Sequence, residues 1–304
     1  MNKSSIDFEL QILLDEGINY INQFMTFEDF DSGNSKLETI KDNKLYAGFS
    51  WGFNDIFDSQ LRLSFLDRIE LFQKIINHLS LEDINITYLD NIRTMLHLMS
   101  ISCFTELDPL NLKSDHMWGL YAKSGTGICI QYKIEDIKNF VISGTREPWT
   151  IKKVQYNDFI DKPKIFEDLI TVAKSSKVNN HKEVNKYLQL FNLSKLMTWC
   201  AEKEWRFISP INIQNYFNKD LSKCSVYPPY EAIRDGFYPQ VWFNKFNFVK
   251  PARIIFGWNC DFEKNNNYKL LMEYCKKDNN LEYIMLDKYI DYSNNLYALK
   301  KPDK

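Results

Sequence analysis

Residues 195–206 read KLMTWCAEKEWR and place two carboxylates (Glu202, Glu204), an ammonium (Lys195), a guanidinium (Arg206) and two indoles (Trp199, Trp205) within twelve positions. A carboxylate held beside Arg and Lys stays ionised, and in that state it can orient a ribose hydroxyl or stabilise an oxocarbenium-like transition state. If CAEKEWRFIS is a strand, alternation puts Glu202, Glu204, Arg206 and Ile208 on one face and Trp205, Phe207 and Ser209 on the other. The aromatic face belongs to a core, so the charged face is expected to line a cleft, with Trp199, Trp205 and Phe207 buried. Lys195 and Trp199, four apart on the end of an expected helix, share one of its faces. The competing reading is an edge strand whose charges pair with neighbours for specificity or solubility.

Two other segments carry polar groups that chemistry could use. In FSWGFNDIFD, Ser50 ends a strand and Asn54, Asp55 and Asp58 follow in a turn that could hold a polar ligand beside the same cleft, or cap the next helix. A hard cation needs more oxygen ligands than this turn offers. In SDHMWGLYAKSG, His116, Trp118 and Tyr121 fall on a short helix not far in sequence from Cys103; a Cys-His dyad is one reading, and a lone His beside Met and Trp is more often packing or a capping donor. The glycines of GTG precede a strand rather than open a helix, so they form no phosphate loop.

Positioning these groups requires a folded frame. Of the 304 residues 44% are hydrophobic and 15% aromatic, with 22 Phe and 17 Tyr, which supplies a sizeable core and excludes global disorder. No stretch reads as a linker, so a single domain over residues 1–304 is expected. The 38 basic and 40 acidic residues nearly cancel and form no terminal block, which advertises no polyelectrolyte partner. The N-terminal segment lacks an apolar targeting run, and no span approaches eighteen uncharged apolar residues, so a cytoplasmic protein with no membrane partner is expected. Six cysteines without a C-x-x-C pair signal neither a disulfide framework nor a zinc site, and no metal is expected.

Along the chain the pattern predicts a helix over 5–20, a short strand at NQFMTF, a helix at SKLETIKDN and a strand at KLYAGFS that carries Tyr46. Helical periodicity over 59–79 and 82–97 predicts a hairpin inserted after that strand. Strands follow at 98–106, TGICIQYKI and KKVQY, helices at 162–175 and 181–199, then strands at EKEWRFIS and ARIIFGW, a helix over 262–276 and a last strand at EYIMLDK. This irregular mixture is an α+β fold and not a doubly wound one.

Taken in order, KLYAGFSWGFNDIFD, SCFTELDPLNLKSDHMWGLYAKSGTGICIQY and KLMTWCAEKEWRF resemble the successive signatures of the prokaryotic family known as domain of unknown function 2971, over roughly residues 20 to 260. That family's layout is similar to the ADP-ribosyltransferase group, which includes toxins and phage-defence enzymes. The resemblance implies a mixed, largely antiparallel central sheet split by the helical insertion at about 59–97. It implies NAD as substrate and a small nucleotide ligand as partner, with a protein or nucleic-acid acceptor left open. Mapped onto this chain, Glu204 takes the catalytic position, Glu202 acts on the acceptor, and Ser50 takes the second-strand position. Tyr46, Asn54, Asp55, Arg206, Lys195, Trp118 and Tyr121 are the expected substrate-binding groups. Where members tend to have Tyr-Arg on the first strand, this chain has Phe24-Met25, and Met cannot hydrogen-bond a ribose or phosphate. That departure favours an alternative, a ligand-sensing or interaction domain without turnover; a carboxylate-based hydrolase using Glu202, Glu204 and Asp55 is a third reading.

Overall fold

A computed structural model of the chain describes residues 3–27, 30–49, 100–142, 150–158, 193–209, 243–286, 289–291 and 296–298. Helix α1 (Lys3–Asp15) leads into strand β1 (Tyr20–Met25), helix α2 (Phe30–Lys41) and strand β2 (Lys44–Phe49), the order that the sequence predicts. Then come β3 (Ser100–Thr105), the short helix α3 (Asp115–Leu120), β4 (Ile128–Lys133), α4 (Ile134–Ile142), β5 (Thr150–Lys153) and β6 (Gln155–Asn157). Strand β7 (Ser194–Leu196) passes through a 3-10 turn (Met197–Glu202) into β8 (Glu204–Ser209). The chain continues with β9 (Phe243–Asn247), β10 (Arg253–Phe256), α5 (Asn266–Lys277), β11 (Glu282–Met285) and the small pair β12 (Tyr289–Asp291) and β13 (Leu296–Ala298).

Nine strands form one sheet, ordered β11-β10-β4-β1-β3-β2-β9, with β8 and then β5 joined through β3. Pairing is antiparallel except between β10 and β11. Strand β3 is where the sheet divides. Strand β8 runs along one edge of β3, from Ser100 opposite Ser209 to Thr105 opposite Glu204. The other edge is shared: β1 meets it only at Asn22 opposite Thr105, and β2 only at Gly48 and Phe49 opposite Ile101 and Ser100. The fold is therefore α+β with a mostly antiparallel mixed sheet.

Alternation sorts the two faces cleanly. Ile21, Met25, Ile128, Ile130, Tyr132, Phe104, Trp205, Phe207, Ile254 and Phe256 share the larger core with Leu10 and Leu13 of α1, Ile137 of α4 and Leu271 of α5. On the opposite face Phe24, Cys129, Ile255 and Ile284 pack with Met117 and Trp118 of α3. One step along the strands that second face turns polar, and there the charged groups of β8 emerge. Gly125, at φ +80°, starts the turn into β4, where a Cβ would lie 2.3 Å from Cε2 of Trp258, so only glycine fits.

Two expectations for this region need correction. The helix predicted over 181–199 is, from residue 194, a short strand followed by a 3-10 turn, because β7 pairs in parallel with β6, Lys195 lying opposite Tyr156. Glu202 is not on the strand, since Lys203 takes a left-handed conformation at φ 46° and breaks the alternation before Glu204. Helix α4 and strand β9 were not foreseen. The expected hairpin at 59–97 and the helix at 162–175 lie outside the described residues.

Candidate functional site

The charged groups converge at the junction of β7, the 3-10 turn and β8. Lys195 Nζ donates to Glu202 Oε2 at 2.5 Å and to Glu204 Oε2 at 3.1 Å, so one ammonium bridges both carboxylates. Arg206, two residues along β8 and so on the same face, grips Glu204 with two donors, Nε to Oε1 at 2.7 Å and Nη2 to Oε2 at 3.1 Å. The Tyr121 hydroxyl, just past α3, donates to Glu202 Oε1 at 2.6 Å. The Lys195 ammonium also stands 5.0 Å from the centroid of the Trp199 ring. The pairing of Lys195 with Trp199 therefore exists, carried by a strand and a 3-10 turn in place of the expected helix.

Burial departs from expectation. Glu202 is 2%, Glu204 4%, Lys195 3% and Arg206 0% exposed, so the charges sit beneath the surface and do not line an open cleft. Trp205 and Phe207 are buried as expected, whereas Trp199 is only half-buried. Among the described residues two anions face two cations, and such mutual pairing is the condition under which charges can be taken out of water. Half-buried Tyr121, Trp199 and Cys103 lie between the cluster and the surface.

The same surroundings drive the two carboxyls apart in acidity. Burial pushes Glu204 up, but the Arg206 and Lys195 charges outweigh it and hold the group at about 2, with the Cys103 thiol donating a further hydrogen bond. For Glu202 burial is the larger effect: Lys195 and the Tyr121 hydroxyl offset only part of it, and the carboxyl is raised. Burial likewise raises the Tyr121 and Tyr156 hydroxyls well above the ordinary tyrosine range, so both remain neutral. Glu204 is thus a fixed anion, and Glu202 is the carboxylate closer to exchanging a proton.

The structure unites Glu202, Glu204, Arg206, Lys195 and Tyr121. Trp118 is a core residue: it is 1% exposed, its Nε1 donates to the Pro109 carbonyl at 3.0 Å, and its ring meets Phe24 edge-on with centroids 4.9 Å apart. Tyr46 sits on β2, separated from β8 by β3, with Lys36 Nζ 5.6 Å from its ring centroid. Ser50, Asn54 and Asp55 lie outside the described residues. Sequence reasoning missed Tyr156, whose hydroxyl accepts the Glu204 backbone N–H at 2.8 Å, and Thr105, whose Oγ1 donates to the Glu202 carbonyl at 2.6 Å. The signal for Thr105 was the TE dipeptide ending the third strand, but only the pairing register sets it opposite Glu204.

Among the described residues no three His, Cys, Asp or Glu side chains cluster as a metal site, and no helix is long and apolar enough to cross a membrane. Neither a curated protein nor a solved structure matches the chain. Residues 117–207, which run from α3 through Tyr121 and Lys195 to both carboxylates and Arg206, match the family model described as a protein of unknown function, DUF2971.

Proposed function

We propose that the cluster is the centre of an NAD-consuming glycosyl-transfer enzyme of the ADP-ribosyltransferase-like kind. One observation carries the reading: two buried carboxyls share a single lysine and are driven in opposite directions, Glu204 to about 2 and Glu202 upward. Separated acidities in one site are how a fold assigns a permanent charge and a proton acceptor to two chemically identical side chains. In the reaction the bond between ribose C1′ and the nicotinamide nitrogen breaks and its electron pair leaves with nicotinamide. An acceptor hydroxyl then forms the new C1′–O bond and gives its proton to Glu202. Glu204 stabilises the positive charge that develops on the sugar.

The test measures nicotinamide released from NAD by the wild type and by Glu204→Gln, with the thermal stability of each recorded. Turnover in the wild type that falls by about 10² or more in a folded Glu204→Gln supports the assignment. Equal, non-zero turnover in the two proteins removes Glu204 as the catalyst.

A second reading has its own observation. Phe24 and Met25, which occupy the place of a first-strand basic residue, are both core residues, 8% exposed on opposite faces of β1, and offer a dinucleotide no cation. A ligand-sensing domain without turnover fits that loss. Its signature is NAD protecting the wild type against unfolding while no nicotinamide appears.

A further inference from the structure

One cross-strand row of the sheet is polar from end to end. Glu282, Arg253, Gln131, Asn22, Thr105 and Glu204 lie in register on β11, β10, β4, β1, β3 and β8. The adjacent row on the same face is apolar across the same central strands: Ile284, Ile255, Cys129 and Phe24. Asn22 is 2%, Gln131 3% and Thr105 0% exposed, positions where aliphatic side chains would pack without any hydrogen-bond requirement. Three consecutive buried polar residues therefore call for a reason beyond packing.

Their hydrogen bonds run in a single direction. Arg253 Nη1 donates to Gln131 Oε1 at 2.9 Å, and Gln131 Nε2 donates to Asn22 Oδ1 at 2.7 Å. Asn22 Nδ2 donates to the Leu107 carbonyl at 2.8 Å, the Leu107 N–H donates to Thr105 Oγ1 at 3.0 Å, and Thr105 Oγ1 donates to the Glu202 carbonyl at 2.6 Å. The sense is imposed from the outer end, where Arg253, also bound through Nε and Nη2 to Glu282 Oε2, can only donate. With Gln131 forced to accept from Arg253, its amide nitrogen faces Asn22, and Asn22 in turn presents its nitrogen to the turn after β3. The row is continuous as far as the Leu107 carbonyl; the Leu107 N–H belongs to the preceding peptide group, so the row acts on Thr105 by anchoring this turn and not by polarising its hydroxyl.

We infer that Thr105 is the positioning residue for Glu202, held in its donating orientation by the Leu107 N–H, in a turn that the Arg253–Gln131–Asn22 row anchors through the Leu107 carbonyl. The Glu202 carbonyl is the last of the 3-10 turn before the left-handed Lys203, so the Thr105 hydroxyl fixes where that turn ends and sets the Glu202 carboxyl on Lys195 and Tyr121. The inference rests on the proposed function only in giving Glu202 a chemical task; the geometric claim stands or falls separately.

The test follows the Glu202 carboxyl by 13C NMR across a pH titration of the full chain, its signal assigned by loss in Glu202→Gln. Thr105→Ser and Thr105→Ala lose the same methyl and differ by one hydroxyl. Thr105→Ser is expected to keep the wild-type midpoint. Thr105→Ala is expected to move it down toward the ordinary glutamate value, as the released turn lets water reach a carboxyl now faced by Lys195, Tyr121 and Glu204. Equal midpoints in the two variants overturn the inference. Should Thr105→Ala not fold, Thr105→Val, which keeps the branched shape in the strand and lacks the hydroxyl, provides the test: a lowered midpoint supports the inference and an unchanged one overturns it. Absence of nicotinamide release from the wild type, with the Thr105→Ala shift present, discards the proposed chemistry and leaves the positioning role intact.

Discussion

Replacing Lys195 by Met removes the one cation that both carboxylates share, and the consequences differ for the two. Glu204 keeps Arg206 on both of its oxygens, whereas Glu202 is left buried with the Tyr121 hydroxyl. At an effective dielectric near 20, unit charges about 3 Å apart attract by roughly 5 kcal/mol, but that gain is largely offset by desolvation of the ammonium. The realistic figure is the cost of orphaning one member of a buried pair, about 3–5 kcal/mol. A second route gives a similar number. Glu202 can escape the penalty by taking up a proton, and holding it protonated at pH 7, above an ordinary glutamate value of 4.5, costs at most roughly 3.4 kcal/mol relative to wild type at about 1.36 kcal/mol per pH unit, an upper bound because burial raises the carboxyl even beside Lys195. That cost shrinks as the pH falls, to about 0.7 kcal/mol at pH 5 by the same relation. Urea unfolding of wild type and Lys195→Met, followed by far-UV circular dichroism at pH 7 and pH 5, should thus show a deficit of up to about 3 kcal/mol that mostly disappears at the lower pH. A deficit of equal size at both values, or none at either, refutes the view that Glu202 depends on Lys195 to remain charged.

Trp205 is 2% exposed, donates through Nε1 to Glu106 Oε2 at 2.9 Å and packs in the larger core, so Trp205→Ala should cost roughly 3–5 kcal/mol in chemical unfolding. Glu204, whose folded value lies near 2 against an ordinary 4.5, contributes stability that is complete above pH 4.5 and is lost as the pH falls toward 2. Wild type should therefore lose about 3 kcal/mol more than Glu204→Gln across that window, as read from unfolding curves at a series of pH values. Glu202, raised in the folded state, has the opposite sign: it favours the fold in acid, and that contribution fades as the pH rises through its folded value. Gly125→Ala combines a positive φ with a Cβ 2.3 Å from the Trp258 ring and should lower stability by more than about 1 kcal/mol in the same assay.

Periodicity located β1, β2, β4, β8, β10 and β11 because each alternates or runs apolar over a short span between turn residues. It failed where pairing outweighs local pattern. SKL at 194–196 continues an apolar helical period in one dimension, yet it is a strand because β6 offers it a partner. The Glu202–Glu204 face was read from alternation, and alternation ends at Lys203; the two carboxylates meet because Lys195 reaches both. Helix α4 was legible and passed over: Ile134, Ile137 and Val141 recur at three and four spacing behind the acidic Glu135 and Asp136. No local signal could have found the Asn22–Gln131 link, since the two residues are 109 positions apart and only the β1–β4 register sets them opposite one another.

The charge balance of the cluster bears directly on the choice between enzyme and sensor. With Phe24 and Met25 committed to core packing, the cations within the described site are Lys195 and Arg206, and each is engaged by a carboxylate. Among the described groups, an anionic ligand meets two cations already paired with carboxylates, and engaging either one means exchanging with its carboxylate. Arg206 is the harder to take, because its bidentate grip on Glu204 would leave that carboxylate unpaired in a buried position. Lys195 is the easier, because protonation of Glu202 removes one of its two anionic partners and leaves a positive charge that an anionic ligand would balance, and burial has already raised Glu202 toward that event. If the proposed function holds, uptake of a proton by Glu202 is the step that would make Lys195 available to a ligand phosphate or carboxylate. In the proposed glycosyl transfer the acceptor hydroxyl needs Glu202 ionised, whereas ligand exchange needs it protonated, so that reading requires Glu202 to release its proton after the ligand has bound and before the acceptor is activated.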